Sequence, residues 1–196
     1  MLRIAVFASG PGTTAEAVIV ACQSRHIAGQ VVLVIGNNSA AEVFVRAGRL
    51  GIPTRHLSGR THPDPDLLDA EIVHTLHTVD ATHIVLAGYL KKLGPRTLAA
   101  FGGRIVNTHP ALLPAFGGQG MFGRHVHQAV LASGIAITGA TVHHVEADYD
   151  TGPIIAQVEV AVLASDTVDT LADRVQHAER ELLITTLETI AATHYA

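Results

Sequence analysis

Within the 196-residue chain, Asn107-Thr108-His109-Pro110 has the clearest chemical content. A proline disfavours the α-region for the residue before it, so His109 should stay extended. In extended chain, residues two apart project to the same side. Asn107 and His109 then point together, pairing an amide N–H that can hold an oxyanion with an imidazole that can move a proton. Acyl transfer needs both. The bland alternative is a strand-end Asn and His that satisfy nearby backbone groups. Asp150, in the turn Asp148-Tyr149-Asp150-Thr151-Gly152-Pro153, is the third candidate. Beside His109 its charge would favour imidazolium and raise that pKa. Alone it would make an Asx-turn ahead of Gly152-Pro153. Sequence distance does not choose between the two.

A second site is read from Ser9-Gly10-Pro11-Gly12-Thr13-Thr14-Ala15, which matches the relaxed pattern G-x-G-x-x-A. Glycines there let backbone N–H groups approach an anion, and the following helix N-terminus supplies about half a positive charge. A dinucleotide fold also wants an acid at the end of its second strand. Here Val31–Ile35 runs into Gly36-Asn37-Asn38-Ser39, so a smaller phosphate ligand is expected rather than NAD. The glycines and Thr13 would equally serve as a plain turn and cap. No Gly-Lys-Ser/Thr follows, which excludes a Walker A loop.

The elements that must hold these residues are those of an α/β protein, with apolar runs alternating with amphipathic stretches. Ile4–Phe7, Val31–Ile35 and Ile84–Leu86 read as strands buried on both faces. Arg104–Thr108, Ile137–Val145 and Ile154–Val160 are further strands. Thr13-x-x-Glu16 and Ser39-x-x-Glu42 read as capping boxes. Asp64-Pro65 starts a helix whose stripe is Leu68, Ile72, Leu76 and Val79. Pro95 opens a short helix ending by Gly102-Gly103, and another helix lies around His127–Ser133. A long helix from about Thr167 carries Val168, Leu171, Val175, Ala178 and Leu182. One domain is expected, and at this size folding buries about 70% of the unfolded surface.

Composition removes other classes. Hydrophobic residues make up 48% and charged residues 15%, which excludes intrinsic disorder. The net charge is −4, no Lys/Arg block occurs and Trp is absent, so neither nucleic acid nor a membrane surface is an expected partner. No stretch reads as a transmembrane helix, and the N-terminus lacks a signal peptide's cleavage pattern. The single Cys22 allows no internal disulfide and fits a reducing, cytoplasmic compartment. Thirteen histidines make chance pairs common. His74-x-x-His77, His125-x-His127 and His143-His144 invite a metal reading, but none has a matched carboxylate or cysteine set, and no metal is expected. His143 reads as a buried structural residue, or one standing behind the reacting groups.

Taken in order, these segments resemble the folate-dependent formyltransferase family over nearly the whole chain. The matching pieces are Ala8–Thr14, Val85–Leu93, Asn107–Pro114, Gly139-x-Thr-Val-His143 and Asp148–Ile155. The resemblance implies a three-layer α/β fold, a doubly wound, mostly parallel Rossmann-like sheet with an antiparallel C-terminal strand. It implies a single domain over 1–196, with a nucleotide-binding half at 1–100 and a catalytic and folate-binding half at 101–196. The implied reaction moves the formyl group of 10-formyltetrahydrofolate to the amine of 5′-phosphoribosylglycinamide in purine synthesis. Asn107, His109 and Asp150 match the family's catalytic trio. Gly12, Thr13 and Thr14 match the phosphate turn. Leu90, Lys91, Lys92 and Leu93, with Asn107, match the folate site, and the loop Val145–Asp150 closes its other side. Glu179 matches a carboxylate near the ribonucleotide, or else lies on a solvated helix face.

The chain also departs from the family pattern. Pro65 stands where a basic residue is usual, leaving Arg60 as a substitute. Lys91 replaces an arginine and loses its bidentate geometry. The stretch Phe116–His125 is long and glycine-rich, either a lid with Arg124 reaching an anion or a surface loop. The chain stops soon after its last helix. The alternatives in view are a formyltetrahydrofolate hydrolase, a transferase for another amine, and a non-catalytic nucleotide-binding module. Small-molecule partners are expected, and homodimerisation is left open.

Overall fold

The computed structural model describes residues 1–193, so residues 194–196 of the expected domain lie outside the described residues. Strands β1 (Leu2–Ala8), β2 (Gly29–Gly36), β3 (Thr54–His56), β4 (His83–Leu86), β5 (Ile105–His109), β6 (Ile137–His144) and β7 (Ile154–Ala161) form one sheet in the order β3-β2-β1-β4-β5-β6-β7. Helices α1 (Thr13–Gln23), α2 (Val43–Arg49), α3 (Pro65–Thr78), α4 (Pro95–Ala100), α5 (Arg124–Ser133) and α6 (Val168–Thr193) alternate with them. The pairs β1–β2, β1–β4 and β2–β3 are parallel, and β6–β7 is antiparallel. This is the α/β class expected from the alternation of apolar and amphipathic segments.

The chain gathers into two compact units, residues 1–106 with the end of α6 from Leu187, and residues 107–186. In the first unit β1 and β4 are almost wholly buried, as their unbroken apolar runs require. Helix α3 begins as expected. Asp64 accepts hydrogen bonds from the N–H groups of Asp66 and Leu67, with Pro65 in the first helical position. Ile72 and Leu76 form its buried stripe, but Val79 is the C-cap. The Val79 carbonyl accepts from Arg3 Nη2 at 2.7 Å. The buried acid of the unit is Asp69, whose carboxylate caps α4 by accepting from the N–H groups of Arg96 at 2.7 Å and Thr97 at 3.1 Å.

Neither expected capping box forms. Glu16 turns to Arg46 at 2.5 Å, and Gly12 rather than Thr13 is the N-cap of α1. Asn38 closes an Asx-turn onto the Ala40 N–H at 3.1 Å, which carries the chain past Ser39 and delays α2 until Val43. Arg46 also reaches Glu42, one turn earlier on its own helix, at 2.8 Å, so both acids read as caps instead pair with one arginine, and Glu16 joins α1 to α2.

In the second unit, Ala111, Val126, Val130, Val160, Leu171 and Val175 make a core against which Phe116 and Met121 pack. Helix α5 starts at Arg124, earlier than the expected helix around His127–Ser133. The α6 stripe continues from Val175 to Leu183, Leu187 and Ala191, and Leu182 is only partly buried. Among the described residues no helix is long and apolar enough to cross a membrane.

Candidate active site

Strand β5 presents Asn107 and His109 on one face and Thr108 on the other, as its pleat dictates. The two groups of side chains find different partners. Thr108 donates from its hydroxyl to a carboxylate oxygen of Glu179 on α6. Burial raises the Glu179 carboxyl above its ordinary value of 4.5, with the Thr108 bond opposing it. Glu179 is therefore tied to the same strand as His109, although α6 is remote in sequence.

On the other face, Asp150 Oδ2 lies 3.5 Å from His109 Nδ1 and Asp150 Oδ1 lies 3.5 Å from His143 Nε2. All three side chains are largely withdrawn from solvent, at 10% exposure for Asp150 and 4% for His109. Asn107 Nδ2 is 3.1 Å from His143 Nε2, so Asn107, His143, Asp150 and His109 form one connected cluster. His109 Nε2 is 2.7 Å from the Phe116 carbonyl oxygen. A carbonyl can only accept, so this nitrogen carries a proton. Both ring nitrogens of His109 thus face acceptors, an arrangement that suits imidazolium.

Burial works against that charge and takes the His109 pKa below its ordinary 6.5, while Asp150 and the Phe116 carbonyl oppose the fall and His143 adds to it. The increase expected from Asp150 alone is present but outweighed by desolvation. For Asp150, burial alone would raise the carboxyl. The contact with His143, the Gly118 N–H at 2.8 Å and the nearby His109 outweigh it and hold the group below its ordinary 3.8.

Local backbone features put Asp150 there. Its φ is +58°, a left-handed conformation uncommon for a residue with a side chain. The turn packs so tightly that a Cβ at Gly152 would run into the His144 carbonyl. His144 N–H in turn donates to the Pro153 carbonyl at 2.9 Å. Asp150 is therefore no free Asx-turn residue; its carboxylate points at two imidazoles.

The glycine-rich stretch is not a detached surface loop. Phe116, also left-handed with φ +55°, and Gly118 place a carbonyl on His109 and an N–H on Asp150. Arg124 pairs with Asp169 at the start of α6. His127 is buried, and its Nδ1 has no hydrogen-bond partner. Burial pushes its pKa down, helped by His109 and Arg124. Among the described residues no group of three or more His, Cys, Asp or Glu side chains is arranged to hold a metal.

The remaining candidate residues lie in the first unit. Gly12 is buried with φ +79°, and a Cβ there would collide with Val43. Thr13 is exposed and Thr14 half-buried in the first turn of α1, which has no side-chain cap. The fingerprint turn therefore offers an uncapped helix N-terminus, the physical requirement for an anion. Ser9 Oγ joins two segments, 2.6 Å from Asn37 Oδ1 and accepting from the Leu90 N–H at 2.9 Å. Asn37 sits where a dinucleotide fold would place its acid. Leu90, Lys91 and Lys92 are exposed and Leu93 is buried. Tyr89 beside them packs edge-on against Phe7 at 5.3 Å, and burial pushes its hydroxyl up to about 12. Pro65 is the first residue of α3, and Arg60 is exposed in the turn before it.

Two parts of the cluster go beyond the sequence reading, which gives His143 only as a buried structural residue or one standing behind the reacting groups. His143 alternates inward on β6, which signals burial but names no partner. The Phe116 carbonyl and Gly118 N–H are backbone groups of a loop, and residue types carry no signal for them.

The fold and the motif order define a formyl transferase, and the chain belongs to that family, whose model matches residues 2–187. The relatives are more particular. The chloroplastic phosphoribosylglycinamide formyltransferase of Arabidopsis thaliana is 40% identical over 183 residues, 93% of this chain and 63% of that protein. The phosphoribosylglycinamide formyltransferase of Mycobacterium tuberculosis is 38% identical over 193 residues, covering 98% and 86%. The solved structure of glycinamide ribonucleotide transformylase 1 from Symbiobacterium toebii superposes with a TM-score of 0.92 at 35% identity, covering 98% of this chain and 89% of that one. The chain spans less than two thirds of the Arabidopsis protein's length.

Proposed function

We propose that this protein transfers the formyl group of 10-formyltetrahydrofolate to the amine of 5′-phosphoribosylglycinamide, a cytoplasmic step of purine synthesis. The observation that carries the reading is the convergence of Asn107, His109 and Asp150 in one buried cluster, in a chain similar to named phosphoribosylglycinamide formyltransferases. The substrate amine attacks the formyl carbon, and the carbonyl electron pair moves to oxygen. Asn107 N–H and the protonated His109 Nε2 hold that oxyanion, the type of acceptor that Nε2–H already meets in the Phe116 carbonyl. Asp150 balances the imidazolium and helps pass the proton lost by the amine to N10 of the folate as the carbon–nitrogen bond breaks.

In this reading the whole chain is one formyltransferase domain. Gly12, Thr13 and Thr14 take the ribonucleotide phosphate, Glu179 takes its sugar side, and Leu90–Leu93 with Asn107 flank the folate. Support for the phosphate site is the uncapped start of α1 after a left-handed glycine. The test is an assay of 10-formyltetrahydrofolate deformylation with 5′-phosphoribosylglycinamide, with water alone, and after chelator treatment. Formylated ribonucleotide formed only with the acceptor, and unaffected by chelator, is the expected result. Acceptor-independent release of formate would make the protein a hydrolase, and loss on chelation would require a metal.

A further inference from the structure

We infer that His143 is a positioning residue for the formyl transfer proposed above, held as the neutral Nδ1–H tautomer so that its Nε2 lone pair fixes the amide of Asn107. The inference starts from backbone. The β6–β7 pairing shifts register between Val142 and His143, where His143 is opposite Ile154 and Ile155 is skipped. Irregularities of this kind re-aim a side chain at the edge of a site. Just beyond it, the His143 Nδ1 is 2.8 Å from the carbonyl oxygen of His144. That oxygen has no proton, so Nδ1 is the donor. The same carbonyl is the one that Gly152 packs against, so the turn carrying Asp150 and the anchor of His143 are a single packed unit.

With Nδ1 committed as a donor, the neutral ring has an acceptor at Nε2. Asn107 Nδ2 lies 3.1 Å from it, nearer than Asp150 Oδ1 at 3.5 Å, so the amide is the closer partner of Nε2. The neutral ring therefore takes one Asn107 N–H, leaves the second N–H for the developing oxyanion, and leaves the Asp150 charge to His109. An imidazolium would do the opposite. It would turn a proton toward Asp150, compete with His109 for the carboxylate and force the Asn107 amide to rotate. His143 is 3% exposed, so its ring is withdrawn from bulk water.

The inference rests on the proposed transfer reaction, and its test separates the two. An isosteric pair of variants tells which ring nitrogen matters. The amide of Gln reaches the position of Nε2, while that of Asn reaches only that of Nδ1. His143→Asn is expected to lower kcat about 10- to 100-fold with both KM values within about twofold. That range stays below the loss of an oxyanion donor itself, about 10²–10³. His143→Gln is expected to recover most of the rate. Independently, ¹⁵N correlation spectra of the unmodified protein at neutral pH should show His143 protonated at Nδ1 and bare at Nε2. Equal kcat in the two variants, KM values that rise in step with any loss, or an Nε2–H tautomer would overturn the inference. If either variant fails to fold, the spectrum decides. Formate release without acceptor in the unmodified protein would refute the acceptor assignment and leave the His143 comparison readable on that release.

Discussion

His109 sits between a carboxylate and a carbonyl with its two nitrogens 3.5 and 2.7 Å from them, yet burial holds its pKa down. These opposing influences make the residue sensitive to any change in Asp150. Asp150→Asn removes the charge that raises the His109 pKa, so the imidazole should titrate at still lower pH and transfer should slow. An NMR titration of His109 that is unchanged in the variant would remove the coupling. Asn107 makes a different kind of contribution, a dipole aimed at charge that exists only in the transition state. Asn107→Ala should therefore lower kcat about 10²–10³-fold. Steady-state kinetics that retain most of the turnover would contradict the oxyanion role.

At the level of elements, two helix starts show how local rules and packing divide the work. Asp64 caps α3 through its own side chain, a local device exposed to solvent. Asp64→Ala should destabilise by about 1 kcal/mol in urea unfolding and leave turnover unchanged. A drop in kcat at full folding would mean that α3 positions the site. The start of α1 depends on a glycine instead, because Gly12 has φ +79° and lies against Val43 of α2. Gly12→Ala meets both backbone strain and that collision, and should cost about 1–3 kcal/mol by the same measurement. It should also weaken ribonucleotide binding more than folate binding, as calorimetric titration with each ligand would show.

The whole molecule carries a stability that depends on pH with a definite sign. His109 and His127 both have pKa values lowered by burial, so the folded chain binds fewer protons than the unfolded chain near pH 6. Their contribution is present above the unfolded value of about 6.5 and is lost as pH falls through the folded values. Asp150 and Asp166 are lowered as well, the latter by its bond with Arg174, so a second loss begins below the ordinary carboxylate range. Glu179 has the opposite sign, since its raised pKa disfavours the fold as pH rises past its ordinary value. The urea midpoint should therefore fall between pH 7.5 and 5.5. His127→Leu, which removes an unpartnered buried nitrogen, should flatten that fall, and an identical slope in the variant would show that His127 does not contribute to it.

Much of the architecture is legible from residue order. The period-2 placement of Asn107 and His109, the proline that keeps His109 extended, the glycines of the first turn and the alternation of apolar runs are local consequences of steric and hydrophobic rules. They determine the α/β class and bring an amide and an imidazole to one face of a strand. The capping boxes misled because Glu16 found Arg46 on another helix and Glu42 paired with that same arginine one turn along its own helix, a contest the capping pattern does not encode. What only the tertiary structure decided is which groups meet: Asp150 with two histidines, Thr108 with Glu179, and a loop carbonyl with His109. Such meetings depend on packing between segments 7 to 71 residues apart and on left-handed backbone at Phe116 and Asp150. Residue type constrains a side chain's chemistry, but its protonation and aim are set by neighbours that only folding supplies.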